Sequence, residues 1–365
     1  MLGFPTREFC EMTANRRWTM QFLINRLRRG GVAFVALCCL SIATSGDATE
    51  RWPVTGKIIG KNEKKAKDVS GIACLTTSGF PRTCMVVDDN VQHAQLVTLY
   101  DGELVANEVV PLNDSSFEGK ALELDGEGVA YAGGHFYVIG SHGRPRDKDG
   151  KFKEGEKRDL LNAQITASSQ LIKIRLNAAG ATVVDRTARL RDVLRQQRDL
   201  APFVDRRLEK NGLTVEGVAI IRDRLFAGLR GPILSGDQAA IVSVELNALF
   251  GSGEPKEKLH FLKLGKGRGV RDLAAFRDGI LIVAGPSADE KGQYAIYWWN
   301  GHDDAATMLA ELAEATGKKG KRKVEGLLPL DQSADRLRIL LLFDGEKEGA
   351  PVALQIPAPS AEARR

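Results

Sequence analysis

Three glutamates, Glu127, Glu216 and Glu325, each stand second in a recurring phrase: Gly126-Glu127-Gly128-Val129-Ala130, Val215-Glu216-Gly217-Val218-Ala219 and Val324-Glu325-Gly326-Leu327-Leu328. Two more copies carry other side chains at that place, Ser70 in Val69-Ser70-Gly71-Ile72-Ala73 and Arg271 in Val270-Arg271-Asp272-Leu273-Ala274. Carboxylates that converge on one site repel one another unless a cation, a proton or an arginine compensates. After each phrase come a turn and an apolar run, and at the far ends of those runs stand Asp88, Asp89, Ser141, His142, Arg230 and Asp344, with Arg144 just beyond.

These side chains admit several chemistries. Arg271 and Arg230 can tie the glutamates into a purely structural ion-pair network. Carboxylates drawn from Glu127, Glu216, Glu325, Asp88, Asp89 and Asp344 can hold calcium, which takes six to eight oxygens at flexible distances. Arg144, Arg230 and Arg271, with His142 beside them, suit a small anion such as a phosphate or carboxylate, because guanidinium forks match those groups. The last two combine into a metal-dependent ester hydrolase. A protein-protein scaffold with an empty channel is the third class.

The elements that must position these residues follow from the spacing. The second positions of the five phrases lie 57, 89, 55 and 54 residues apart. A period above forty built from strand-like units indicates propeller blades rather than a helical solenoid. Each unit reads as four antiparallel strands, so the fold class is all-β, a β-propeller of five blades; a sixth would have to lie inside the 89-residue interval. In such a blade the first strand lines the central channel and starts at one mouth, where the second strand ends, so the charged residues are expected together there. Insertions at Arg144 to Ser168 and Leu190 to Gly212 are expected over the same mouth. The last repeat has only three strands, and Arg51 to Ile59 is expected to pair beside Pro351 to Ile356 and close the ring. The segment Ala305 to Thr316 reads as a helix. Of Trp298 and Trp299, adjacent on a strand, one is expected to face outward.

Residues 1–48 read as a signal peptide, with basic Asn25-Arg26-Leu27-Arg28-Arg29 before the apolar run Val32 to Ala43 and small residues at Gly46-Asp47-Ala48; Met20 is an alternative start. The run is too short to span a bilayer, so no stable membrane span is expected after cleavage. Residues 49–357 form the propeller domain and 358–365 a disordered tail. Without the leader the chain carries 46 basic and 44 acidic side chains, a balance that does not favour nucleic acid as a partner. Cys74 and Cys84, the two cysteines left after cleavage, are expected to bond in an oxidising compartment, periplasmic or extracellular.

Val215 to Ala219 followed by Gly228-Leu229-Arg230-Gly231-Pro232, together with Gly140-Ser141-His142 and Arg271 to Ala274, resembles a family of secreted bacterial proteins known as a domain of unknown function. The resemblance covers about Asp68 to Gly345. More distantly the Glu-Gly phrase looks like that of esterase-like phytase propellers, which would imply phosphate-ester chemistry. Ser70 and Arg271 break the acidic pattern and so count against a symmetric metal site.

Overall fold

The structure is a computed structural model and describes residues 49–146, 158–289, 291–316 and 322–360. The expected leader, residues 1–48, lies outside the described residues. Five four-stranded antiparallel units form a ring, a five-bladed β-propeller. Blade I comprises Val69–Cys74, Arg82–Asp88, His93–Tyr100 and Glu103–Pro111; blade II Gly126–Ala132, His135–Gly140, Leu171–Asn177 and Gly180–Thr187. Blade III comprises Thr214–Ile221, Arg224–Gly231, Ala239–Glu245 and Lys258–Leu262; blade IV Arg268–Phe276, Gly279–Pro286, Ala295–Trp299 and Thr307–Glu311. Blade V is built from Lys323–Ser333, Arg336–Asp344, Val352–Pro357 and, from the other end of the chain, Glu50–Arg51.

The inner strands begin with the repeat phrases and touch one another around the whole circle, with blade V meeting blade I. The phrase glycine allows that approach: a Cβ on Gly217 would fall 2.6 Å from the Leu273 nitrogen of blade IV, and one on Gly71 2.9 Å from the Gly128 Cα of blade II. In blade IV the same place holds Asp272, whose buried carboxylate accepts hydrogen bonds from Leu273 N and, across the blade boundary, Leu327 N, both at 2.7 Å.

Five apolar clusters fill the gaps between successive blades. Both faces of a blade are therefore buried, and this corrects the expectation for the tryptophans. Trp298 and Trp299 point to opposite faces of blade IV, yet both are buried, one against blade V and the other against blade III.

Two further expectations are corrected. The segment from Ala305 is not helical throughout: Thr307–Glu311 is the outer strand of blade IV, paired with Ala295–Trp298, and only Ala313–Thr316 is helical. A strand partner left open by Ala295–Trp299 outweighs the weak local helix propensity. The N-terminal segment is also divided between two blades. Glu50 and Arg51 pair with Ala353 and Val352 of blade V, whereas Val54 and Thr55 run parallel to Leu104 and Val105 on the edge of blade I. Glu348 reinforces the closure, accepting from Ile58 N at 3.2 Å and from Lys65 Nζ at 2.6 Å. Of the expected tail, Ala358 still packs on the core and donates its N–H to Asp335 O, 2.7 Å; residues 361–365 lie outside the described residues.

Cys74 and Cys84 face each other in the first hairpin and form a disulfide. The first insertion ends in helix α1, Arg158–Ser168; the second carries helix α2, Arg189–Gln196, whose Leu190, Val193 and Leu194 pack between blades II and III. Among the described residues no helix is long and apolar enough to cross a membrane.

Candidate functional site

The repeat phrase is a β-bulge. In every blade the register between first and second strands skips one residue: Ser70, Glu127, Glu216, Arg271 and Glu325 have no cross-strand partner. A bulge re-aims the side chain of its extra residue. Here it turns Glu127, Glu216 and Glu325 toward the channel at one mouth, where a cavity of about 880 Å³ opens. The mouth gathers Glu127, Glu216, Glu325, Arg230, Arg144, Asp89 and Asp344 from all along the chain. The position two residues before the bulge faces the same cavity in four blades, as Asp68, Asp125, Thr214 and Lys323. That row was not singled out from the sequence, although the two-residue strand period signals it. Both insertions also reach the wall, through Gln164 and Ser168 of α1 and through Leu208.

The arginines are engaged. Arg230, 2 % exposed, donates from Nη1 to Glu216 at 3.0 Å, from Nε to Ser287 O at 2.9 Å and from Nη2 to Asp289 at 2.8 Å. Arg271 does not line the cavity; it lies between Glu216, 3.5 Å away, and Glu325, with which it is ion-paired in close contact. Burial alone would raise the Glu216 carboxyl, but Arg271 and Arg230 outweigh it and hold that group below its ordinary value. Arg144 donates to Asp205 O at 3.1 Å, and Arg146 grips the second oxygen of Asp289 at 2.9 Å. Lys323 sits on Asp344 at 2.9 Å.

The wall formed by blades I and II is different. Burial and the charge of Glu216, Asp125 and Asp89 push the Glu127 carboxyl well above its ordinary range. Among the described residues no hydrogen bond or ion pair reaches that carboxylate, although the residue is 92 % buried. Asp89 is raised to about 9 by burial and by Asp125, Asp68 and their neighbours. Asp68 is raised to about 6 by burial and by the Asp344 carboxyl, and Asp125 is raised by burial against the opposing hydrogen bond from Ser141. Nine carboxylate residues line the cavity and four basic ones, Arg144, Arg146, Arg230 and Lys323; no aromatic side chain does, among the described residues.

Besides Arg271, two expected site residues stand apart. His142 is fully buried, away from the cavity wall, and burial followed by the charge of Arg191 lowers its ring to about 3, so it is a neutral imidazole. The turn at 142, where the backbone has φ 52°, directs the ring inward and leaves the flanking Ser141 and Gly143 at the wall. Asp88 is taken up by the backbone, accepting from Asn90 N at 3.0 Å and Asp68 N at 3.3 Å. The calcium expectation on Asp88, Asp89 and Asp344 therefore loses one ligand, and among the described residues no three His, Cys, Asp or Glu side chains are arranged to hold a metal ion.

Comparison with known proteins adds the family. No curated protein matches. Among solved structures, a GH43B protein of the Bacteroides ovatus xyloglucan locus is similar at 11 % identity over 86 % of this chain and 55 % of that one, with a TM-score of 0.46. The GH43 endo-arabinanase from Bacillus licheniformis gives 10 % identity over 86 % and 98 %, TM-score 0.38. Kuenenia stuttgartiensis hydrazine synthase gives 8 % over 79 % and 60 %, TM-score 0.37, so the chain spans under two thirds of some of the structures it resembles. The model of the family described as protein of unknown function (DUF3616) matches residues 85–170 and 158–351, most of the ring, and the chain belongs to that family.

Proposed function

We propose that this propeller binds a small organic cation, one carrying a primary ammonium or guanidinium group, in the cavity at the channel mouth. The observation that carries the reading is Glu127: a buried carboxylate, unpartnered among the described residues, aimed into a cavity whose wall is rich in further carboxyls. A buried ion without a partner is costly, and an entering cation removes that cost. The sequence expectation of an anionic ligand depended on free guanidinium forks. Arg230 has its donors on Glu216, Ser287 and Asp289, and Arg271 is ion-paired with Glu216 and Glu325 away from the cavity lining, which makes them struts of the ring. A hydrogen-bonding ammonium is favoured over a quaternary one because the wall offers no aromatic cage.

In the unliganded protein Asp89, raised to about 9, holds a proton near neutral pH, and burial and neighbouring carboxylates shift the Glu127 carboxyl in the same direction. Binding a cation favours their ionised forms, so the ligand enters in exchange for protons and its affinity rises with pH. We place this activity outside the cytoplasm, in the periplasm or medium. The Cys74–Cys84 disulfide and the leader-like sequence of residues 1–48 support that location. Calorimetric titration at pH 8 with n-butylammonium, guanidinium, orthophosphate and calcium tests the proposal. Saturable heat with the first two, weakened in Glu127→Gln, is expected; binding of phosphate alone would refute it.

A further inference from the structure

We propose that the ligand is an elongated dication, an aliphatic diamine or polyamine, whose two ammonium groups seat on carboxylate sets belonging to different blades. The proposal rests on the cation reading above and narrows it. One set is Glu127 with Asp125, at the start of the inner strand of blade II. The other is Asp68, Asp89 and Asp344, at the seam where blades I and V meet. Within the second set Asn90 donates to Asp68 at 2.9 Å and orders it. The chain itself shows that this seam accepts an ammonium, because Lys323 Nζ lies 2.9 Å from Asp344 Oδ2 while Asp68 and Asp89 receive no lysine or arginine of their own among the described residues.

Size and lining point the same way. A volume of about 880 Å³ is many times what one ammonium fills, since a water molecule occupies only about 30 Å³ of liquid. Leu122, Leu208 and Leu213 are part of the same wall and offer apolar surface to a methylene chain. The absence of aromatic side chains from the described lining gives no platform for a sugar ring or a base. A flexible linker that spans both sets makes the second contact intramolecular, so the dication gains over either end alone.

The test is a calorimetric series on the protein at pH 8 with n-butylammonium, 1,4-diaminobutane, 1,6-diaminohexane and 1,8-diaminooctane. At least one diamine should bind about tenfold or more tighter than n-butylammonium, a difference of about 1.4 kcal/mol, with an optimum chain length. Asp89→Asn and Glu127→Gln should each bring that diamine down to the monoamine level, thermal melts serving to confirm that both variants are folded. Equal affinity for monoamine and diamines would overturn the two-set proposal and leave the single-ammonium reading standing. Failure of every amine to bind would overturn both, and a diamine preference unchanged in both variants would overturn the assignment of the sets.

Discussion

Replacing Asp89 by asparagine keeps the shape of the cavity wall and removes a group that titrates differently in the folded and unfolded chain. Its carboxyl lies at about 9 in the folded protein against an ordinary value of 3.8. The folded state therefore holds a proton that the unfolded state releases, and between about pH 4 and pH 9 this residue makes stability fall as pH rises. At pH 7.5 the unscreened cost is about 5 kcal/mol, at about 1.36 kcal/mol for each unit between the two values. Water in so open a cavity screens the repulsion and reduces it to about 2 kcal/mol. Asparagine carries no such cost, so Asp89→Asn should melt about 4–8 °C higher than the parent at pH 7.5. The two should converge as the pH falls below about 3, where Asp89 is protonated in both states. Scanning calorimetry across that range reads the difference directly. A variant melting at or below the parent at pH 7.5, or an advantage that persists unchanged at pH 4, would refute the claim that the wall is under charge strain.

Three further outcomes follow from the framework. Asp272→Ala should cost about 2–4 kcal/mol in urea denaturation, since it orphans two buried amides, Leu273 N and Leu327 N, whereas Asp272→Asn keeps an acceptor and should cost less. Deleting residues 49–66 removes the Glu50–Arg51 pairing and the Lys65–Glu348 contact together, and should lower the melting temperature and promote association through the bared edge of Val352–Pro357. Peptide mass spectrometry of the unreduced protein should recover Cys74 linked to Cys84, and reduction should cost roughly 3 kcal/mol for so short a loop, with two free thiols contradicting the pairing.

The ring was legible because its signal is periodic. The five phrases mark five inner strands, and their spacing gives the blade count. What stayed hidden depends on neighbours in space. The phrase reads as a plain strand, yet Glu127 and its counterparts are bulge residues; the bulge is visible only against the partner strand, although the small residue that follows in four copies hints at it. Asp68 and Asp125 sit just outside the phrase and were passed over, so the acidic wall looked weaker than it is. His142 and Asp88 carry suitable side chains at suitable positions, but one backbone turn buries the imidazole and two amide hydrogen bonds occupy the carboxylate. Thr307–Glu311 was misread because its strand character comes from the edge it completes, not from its own residues. Arg144 and Arg230 line the cavity and Arg271 lies behind its wall, and only the geometry of Arg230 shows that its donors already have acceptors.

The central claim, that this mouth takes up a cation in exchange for protons, is tested most directly by measuring the heat of 1,4-diaminobutane binding at pH 7.5 in two buffers of different ionisation enthalpy. The account predicts saturable binding with net release of protons to the buffer, and a smaller release in Glu127→Gln and in Asp89→Asn. Binding with no proton release, or no binding of the amine while orthophosphate binds, would contradict it.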